Sequence, residues 1–228
     1  MKRIALPKSV KVSDRKDSVW AVRPGPGPHP KKHCTPLLML LRDVLKLAKT
    51  AREVKRILAS RLVQVDGVVR TDPAFPVGLM DVISFPTLEK HYRIVVDWKG
   101  RIVPAEVKKD QASQKLVKVI RKHITKGGKF NLAFHDGRNM MGDNNVRVGD
   151  SVLIELPKAK LKKHLKLEKG SRCLVMEGKH VGSIVELKEI EARQAGKPSE
   201  AIVKGKEGEF VTVARYLFVV GDEYKVSK

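Results

Sequence analysis

The segment between Leu37 and Phe85 places the tightest limits on what this chain can fold into. Thr50-Ala-Arg-Glu53 matches a capping box, in which a threonine oxygen and a glutamate carboxylate satisfy free amides at a helix start. Asp66-Gly67 between valines predicts a two-residue hairpin turn, and residues 80–85 predict a further strand. A first helix is predicted before Thr50, because apolar residues recur at helical spacing at Leu37, Leu41, Val44, Leu45 and Ala48. Residues 37–86 therefore predict a small helix–helix–hairpin module.

Positive charge is concentrated in the first three quarters of the chain. The formal net charge of the 228 residues is +22, with a pI of about 10.1, which favours a polyanionic partner. Residues 1–36 carry +7, residues 37–86 carry +3, residues 87–167 carry +11 and residues 168–228 carry only +1. Apolar runs stay well short of the roughly 20 residues that a membrane-spanning helix needs, so a membrane partner is not expected.

The first 36 residues predict an extended basic arm. The run from Pro24 to Pro30 alternates proline with other residues, and proline removes backbone donors and fixes φ, so neither a helix nor a central strand can form there. We expect this arm to lie over a surface and to be ordered by RNA. The cations that favour RNA contact are Arg3, Arg23, Lys31 and Lys32.

Residues 87–167 predict a β-rich basic domain with one helix. A hairpin is predicted to turn at Lys99-Gly100, and strands are predicted at 130–134 and 151–156, on either side of a loop over 136–149. Residues 158–164 read as a basic connector. The helix is predicted at about residues 113–123, with Leu116, Val117 and Ile120 facing inward and with Lys115, Lys118, Arg121 and Lys122 facing outward.

Residues 168–228 predict a small closed β-barrel, because five short apolar runs follow one another at close spacing with glycine turns between them. The charge of this segment is nearly balanced, with Glu177, Glu186, Glu189 and Glu191 inside its strands. We therefore expect it to contribute more through its fold and through protein contacts than through phosphate binding.

The order of these pieces resembles the S-four-e family of small-subunit ribosomal proteins, in the length of its archaeal form. Residues 37–86 resemble the alpha-L RNA-binding module. The matching motifs are Gly27-Pro-His, Cys34-Thr-Pro-Leu, Glu53-Val-Lys-Arg-Ile-Leu, Val65-Asp-Gly-Val-Val-Arg-Thr-Asp, Pro76-x-Gly-x-Met-Asp-Val-Ile, Tyr92-Arg, Asp97-x-Lys-Gly and Cys173-Leu-Val-x-x-Gly-Lys-His-x-Gly. The resemblance implies an α+β, multi-module fold: the arm (1–36), the alpha-L module (37–86), the central domain (87–167) and a KOW-type barrel (168–228).

The resemblance also implies a function. The chain is expected to be a cytoplasmic, structural component of the small ribosomal subunit that binds ribosomal RNA beside neighbouring ribosomal proteins, with no cofactor and no small-molecule substrate. Arg42, Lys46 and Lys49 share one side of the first predicted helix by their i, i+4, i+7 spacing. Arg52, Lys55 and Arg56 share one side of the second. The expected RNA-binding residues are Arg3, Arg23, Lys31, Lys32, Arg42, Lys46, Lys49, Arg52, Lys55, Arg56, Arg61, Arg70, Lys118, Arg121 and Lys122, and the expected KOW turn residues are Gly178, Lys179 and Gly182.

Two other functions remain open on the sequence. An RNA-modifying enzyme of the pseudouridine-synthase kind can carry an alpha-L module, but it needs a catalytic aspartate that Gly137-Arg138-Asn139 lacks. A KOW-type transcription factor would use the neutral barrel to dock on protein. Enzymatic activity is not expected, since Asp143 stands where a phosphate-binding loop needs lysine and His135-Asp136 reads as a turn. The spacing of the two cysteines and their neighbouring histidines fits no common metal site.

Overall fold

The described part of the chain is mostly β-structure with a few short helices. The structure is a computed structural model that describes residues 1–12, 14–16, 18–125, 127–191, 198–206 and 208–221. The chain divides into two compact units. Unit 1 comprises Met1–Val96, Arg101–Lys115 and Glu155–Ala159, and unit 2 comprises Asp97–Gly100, Leu116–Ile154 and Lys160–Lys228. None of the helices in the described ranges is long and apolar enough to span a bilayer.

The first predicted helix is shorter than its apolar pattern suggests. α1 (Leu37–Met39) continues as one turn of π-helix over Leu40–Val44 and then ends. The Leu45 amide donates to the Leu40 carbonyl, five residues back, at 2.9 Å, and this wider spacing closes the helix. Lys46 then takes a left-handed conformation with φ of 54°. The prediction of a continuous helix as far as Ala48 is therefore wrong, although Ala48 itself is buried.

The second helix, α2 (Ala51–Ala59), begins at the predicted capping box. The Glu53 amide donates to Thr50 Oγ1 at 3.2 Å, and Glu53 Oε2 accepts from the Thr50 amide at 3.4 Å. One face of α2 is held by Val54 and Leu58, which are fully buried in the core of unit 1. Cap and apolar face together account for the position of this helix.

A five-stranded antiparallel sheet forms the body of unit 1. Asp66 and Gly67 both have positive φ, as the predicted two-residue hairpin requires, and the second predicted turn at Lys99-Gly100 is also present. The strands are β1 (Cys34–Pro36), β2 (Gln64–Val65), β3 (Val68–Val69), β4 (Pro76–Gly78), β5 (Val82–Phe85), β6 (Lys90–Val96) and β7 (Ile102–Val107). The order of the five-stranded sheet is β3-β2-β5-β6-β7, and β1 and β4 form a separate pair.

The N-terminal arm packs onto unit 1. Leu6, Val10 and Ala21 form a small apolar cluster with Met39 of α1. The Met1 amino group donates to the Ala21 carbonyl at 2.9 Å, and Val10 bridges to β7. The arm is largely extended, as predicted, but contacts within unit 1 order it. The apolar partners of this cluster are distant in the sequence, so the prediction that RNA orders the arm did not include it.

The predicted helix at 113–123 is wrong, because these residues form strand β8 (Gln114–Ile124). The β-branched residues Val117, Val119 and Ile120 favour a strand, and burial of residues 115–119 on both strand faces outweighs the helical spacing of the apolar positions. α3 (Lys109–Ala112) is the only helical turn nearby in the described chain. β8 lies in a sheet of order β10-β9-β8-β11-β12, with β9 (Phe130–Phe134), β10 (Asn139–Gly142), β11 (Ser151–Glu155) and β12 (Lys160–Leu165).

This sheet also corrects two smaller predictions. The loop expected over 136–149 contains strand β10, and the basic connector expected over 158–164 contains most of β12. His135 and Asp136 do lie in a turn, as predicted. Lysine is depleted in strands in general but common on edge strands, so a lysine-rich edge strand looks like a connecting loop in the sequence.

The five C-terminal strands are present where the sequence predicts them. The strands are β13 (Arg172–Val175), β14 (Ile184–Glu191), β15 (Glu200–Gly205), β16 (Gly208–Val213) and β17 (Leu217–Val219). They form an antiparallel sheet in the order β16-β15-β14-β13-β17 around a core that includes Cys173, Leu187 and Val203. Within the described residues β16 and β17 are the two ends of this sheet, so the strand pairing does not form the closed barrel that the sequence predicts.

Candidate nucleic-acid interface

Three cations project from the exposed side of α2. Arg52, Lys55 and Arg56 are exposed, while Val54 and Leu58 hold the opposite side in the core. Residues three and four apart are neighbours on a helix surface, so Arg52 lies beside both Lys55 and Arg56. This group, called here the α2 cations, is a compact positive surface of the kind that phosphates bind.

The cations that precede α2 do not form the predicted helical stripe. Arg42 is half-buried and its guanidinium pairs with the Asp43 carboxylate at 2.8 and 3.1 Å. Lys46 and Lys49 are exposed, but they follow the end of the helix at Val44. The expected i, i+4, i+7 face is therefore wrong, and Lys46 and Lys49 are instead surface cations on the connection into α2.

Glu53 anchors that connection. Its Oε2 accepts from the Lys49 amide at 2.8 Å, in addition to the Thr50 amide. These backbone hydrogen bonds, the Lys49 bond above all, lower the pKa of Glu53, so its carboxylate stays charged and occupied. The single acid among the α2 cations is thus engaged at the helix start, on the backbone.

Two arginines follow α2 on the hairpin side. Arg61 is exposed and has a left-handed φ of 58° just after the helix. Arg70 is half-buried, with its guanidinium 4.5 Å from the Phe75 ring centroid. Its buried Nε has no hydrogen-bond partner among the described residues. Both residues lie in the same small module as the α2 cations.

Arg23, Lys31 and Lys32 of the arm are exposed, as an RNA-contacting role requires. Arg3 is not: its side chain is buried, Nε donates to the Asp14 carbonyl at 2.8 Å and Nη1 donates to Ser18 Oγ at 3.0 Å. The prediction that Arg3 offers its charge to RNA is therefore wrong. Its guanidinium instead supplies donors to backbone and hydroxyl oxygens within the arm.

Lys118 is the second residue that the structure places inside. It is 5% exposed, and its Nζ donates to the carbonyls of Arg215 at 2.7 Å and Leu217 at 2.5 Å. Burial lowers the pKa of Lys118 to about 8. The outward orientation predicted for it depended on the helix that is absent. On the same strand Arg121 is exposed, and Lys122 Nζ donates to the Asn144 carbonyl at 2.7 Å.

A buried ionic network in unit 1 escaped the sequence analysis. Lys115, fully buried, donates through Nζ to Asp66 Oδ2 at 2.7 Å and to Asp81 Oδ1 at 2.6 Å. His29 Nε2 lies 3.0 Å from both Asp81 oxygens, and the Gly78 amide donates to Asp81 Oδ2 at 2.9 Å. The partners are 34 to 52 residues apart along the chain, so no local pattern reveals them.

The two carboxylates of this network differ in pKa. Burial raises the pKa of Asp66, and the nearby charge of Asp81 raises it further. Burial also acts to raise the pKa of Asp81, but Lys115 and His29 outweigh it and hold that pKa well below its usual range. The network ties the arm and the Asp66-Gly67 turn to the start of β8, and so shapes the module that carries the α2 cations.

The residues of the predicted KOW turn differ in exposure. Gly178 has a φ of 99° and Lys179 is exposed, while Gly182 has a φ of 79° and is buried. Also on unit 2, the strand β12, at one end of its sheet among the described strands, presents three exposed lysines that were not among the expected RNA-binding residues: Lys160, Lys162 and Lys163. Within the described ranges, no group of His, Cys, Asp and Glu is arranged to hold a metal ion.

Comparison with known proteins identifies the family to which this chain belongs. The S4 domain matches residues 35–83, and ribosomal family S4e matches residues 88–161. The small ribosomal subunit protein eS4 of Archaeoglobus fulgidus is 44% identical over 96% of this chain and 92% of its own length. The protein of the same name from Methanocaldococcus jannaschii is 40% identical over 100% of this chain and 96% of its own.

A solved structure agrees with these relatives. The crystal structure of the 30S ribosomal protein S4e from Thermoplasma acidophilum superposes with a TM-score of 0.72 at 34% identity, covering 84% of this chain and 96% of that one. The similarity extends over both units and not over the S4 domain alone. On these matches, the chain belongs to the ribosomal protein family S4e.

Proposed function

We propose that this chain is a structural component of the small ribosomal subunit and binds small-subunit ribosomal RNA through its exposed cations. Membership of a ribosomal family supports this role and supports neither alternative, the RNA-modifying enzyme or the transcription factor. Neighbouring ribosomal proteins are the other expected partners. The observation that carries the RNA-binding proposal is the exposed group of α2 cations within the S4 domain match.

The finer module assignment is part of the same proposal. α1, α2 and the β2–β3 hairpin with β5 correspond in order to an alpha-L module, and β13–β17 correspond to a KOW-type domain. The arm (1–36), the central β-rich domain (87–167) and these two modules give the four-part division. The net charge of +3 on residues 37–86 is small, so the arrangement of the exposed cations matters more for binding than the total does.

The proposed RNA contacts, taken on each unit by itself, are cations that the structure leaves exposed or half-exposed. Arg3 and Lys118 are not among them, because both are buried. They are Arg23, Lys31, Lys32, Arg42, Lys46, Lys49, Arg52, Lys55, Arg56, Arg61, Arg70, Arg121 and Lys122, together with Lys179 of the KOW turn. Phosphate contacts should dominate, so the affinity should fall steeply with salt, by about 0.7 to 0.9 in log–log slope for each phosphate neutralised.

The decisive variant is Arg52→Glu with Arg56→Glu. Neither side chain packs in the core, so the melting temperature should stay close to that of the wild type, while the affinity for small-subunit ribosomal RNA should drop and its salt slope should become shallower by about 1.5. The matched control is Lys108→Glu with Lys109→Glu, which makes the same charge change at exposed positions at the start of α3. Filter binding across a salt series measures the affinity and the salt slope.

The two double variants separate a specific surface from bulk charge. The proposal requires the α2 variant to lose substantially more affinity than the α3 control. Equal losses would mean that total charge, and not the α2 surface, drives binding. An unchanged affinity in a folded α2 variant would exclude this surface as a ribosomal RNA contact.

A further inference from the structure

The turn between β6 and β7 carries an exposed tryptophan that the fold itself does not need. Trp98 is 71% exposed. The turn, Asp97–Gly100, is closed by the Gly100 amide, which donates to the Asp97 carbonyl at 2.8 Å, and by the Trp98 amide, which donates to Asp97 Oδ1 at 2.7 Å. These bonds use the backbone and one carboxylate, so they would form with any residue other than proline at position 98. The turn therefore does not require an indole at this position.

A second turn fixes the backbone of the first within unit 2. A Cβ added at Gly182 would lie 2.6 Å from the Asp97 carbonyl oxygen and 2.9 Å from the Trp98 nitrogen. A Cβ added at Gly100 would come within 3.2 Å of Val181. Gly182 is itself held, since its amide donates to the Val175 carbonyl at 2.8 Å. Backbone packs on backbone here, so Trp98 projects from a supported position and not from a loose loop tip.

Cations accompany the indole on both turns. Lys99 Nζ lies 4.4 Å from the centroid of the Trp98 ring, a cation–π contact. Lys179 is exposed on the second turn, three residues before Gly182. The nearest acid, Asp97, binds the Trp98 amide through its carboxylate. An aromatic face and at least one ammonium group are thus presented together.

This pairing suits an unpaired nucleotide. Single-stranded RNA is recognised by stacking its bases on aromatic side chains while cations contact its phosphates, whereas a duplex keeps its base faces inside. An apolar protein partner would have to remove the Lys99 ammonium from water without offering it a charge. We propose that Trp98 is a stacking site for an unpaired nucleotide of ribosomal RNA, with Lys99 and Lys179 contacting its phosphates. The inference rests on the ribosomal RNA partner proposed above, but it involves a different surface from the α2 cations.

Tryptophan fluorescence can test this directly, because the chain has only two tryptophans, Trp20 and Trp98. In the full-length Trp20→Phe variant the emission comes from Trp98 alone. The probes are a ten-nucleotide oligouridine and a blunt RNA duplex with the same number of phosphates, both at low salt. Oligouridine should quench Trp98, and the duplex should bind through charge without comparable quenching.

Binding measurements on otherwise wild-type protein complete the test. Trp98→Ala should weaken oligouridine binding about 5- to 150-fold, the range measured for loss of one stacked base, and Trp98→Phe should retain most of the affinity. Circular dichroism confirms that both variants fold. The inference would be overturned by equal quenching from the oligouridine and the duplex, or by an unchanged affinity of Trp98→Ala for oligouridine. Quenching of Trp98 by ribosomal proteins but not by RNA would also overturn it.

The two proposals can fail separately. If the wild type binds small-subunit ribosomal RNA no better than an unrelated RNA of equal length, the proposed function fails, and the stacking inference fails with it. If the wild type binds that RNA selectively while Trp98 shows no stacking, the inference alone fails.

Discussion

Removing Lys115 should destabilise unit 1 far more than removing any surface lysine. In Lys115→Met the Asp66 carboxylate would lose the ammonium but keep the Val82 amide, which donates to it at 3.0 Å, and the Asp81 carboxylate would keep His29 and the Gly78 amide. Both carboxylates are buried, and breaking a buried ion pair by removing one partner costs about 3 to 5 kcal/mol. We expect a loss of that size in the free energy of unfolding at pH 7.

The loss should shrink as the pH falls. Without the Lys115 ammonium, burial and the Asp81 charge would raise the pKa of Asp66 further above its unfolded value. In the window between those two pKa values the folded state binds more protons than the unfolded state, so the variant gains stability as the pH decreases. The deficit should therefore be smaller at pH 5 than at pH 7.

Urea unfolding followed by far-UV circular dichroism measures this, with two transitions allowed because the chain has two compact units. Lys109→Met, at an exposed position in α3, is the matched control and should change stability by less than about 0.5 kcal/mol. Adding Asp66→Asn to Lys115→Met should recover part of the loss, because it removes one buried negative charge that has lost the Lys115 ammonium. A loss below about 1 kcal/mol in Lys115→Met would refute this account of the network.

Two further predictions follow from buried titratable groups in the two units. Because burial lowers the pKa of Lys118 to about 8, the unfolded state binds more protons between pH 8 and its ordinary pKa, so the free energy of unfolding should rise with pH there by at most about 3 kcal/mol. Lys118→Met, compared with the wild type by urea titration across that range, should lack the rise, and parallel pH profiles would contradict the prediction. Burial raises the pKa of Cys34 to about 11 and that of Cys173 to about 12, so both thiols should react with Ellman's reagent far more slowly in the native protein than in urea at pH 8. Fast labelling of either thiol in the folded chain would exclude this.

Features that depend on a few adjacent residues were predictable from the sequence. The capping box at Thr50 and Glu53 and the Asp66-Gly67 turn are present as predicted, because each is specified by local hydrogen bonding or by local φ preference. The five C-terminal strands were also found, since their apolar runs are short and separated by glycines. The α2 cations were found for the same reason, as the helix that orients them was itself predictable.

Features that depend on distant packing were not predictable. Leu116, Val117 and Ile120 fit a helical face by spacing, and only burial of both faces of β8 decides for a strand. That error also misplaced Lys115 and Lys118, whose partners come from remote parts of the chain. Lysine is so seldom fully buried that a sequence reading assigns it to the surface unless a partner is visible.

The lysines of β12 have a consequence for how the protein meets other copies of itself. β12 is an edge strand of its sheet among the described strands, so one row of its backbone donors and acceptors is open to another chain. Lys160, Lys162 and Lys163 are exposed along it. Two copies pairing along this edge would place their β12 strands about 5 Å apart, and the like charges on the two strands would repel each other. The charged edge therefore disfavours self-association of the chain through β12.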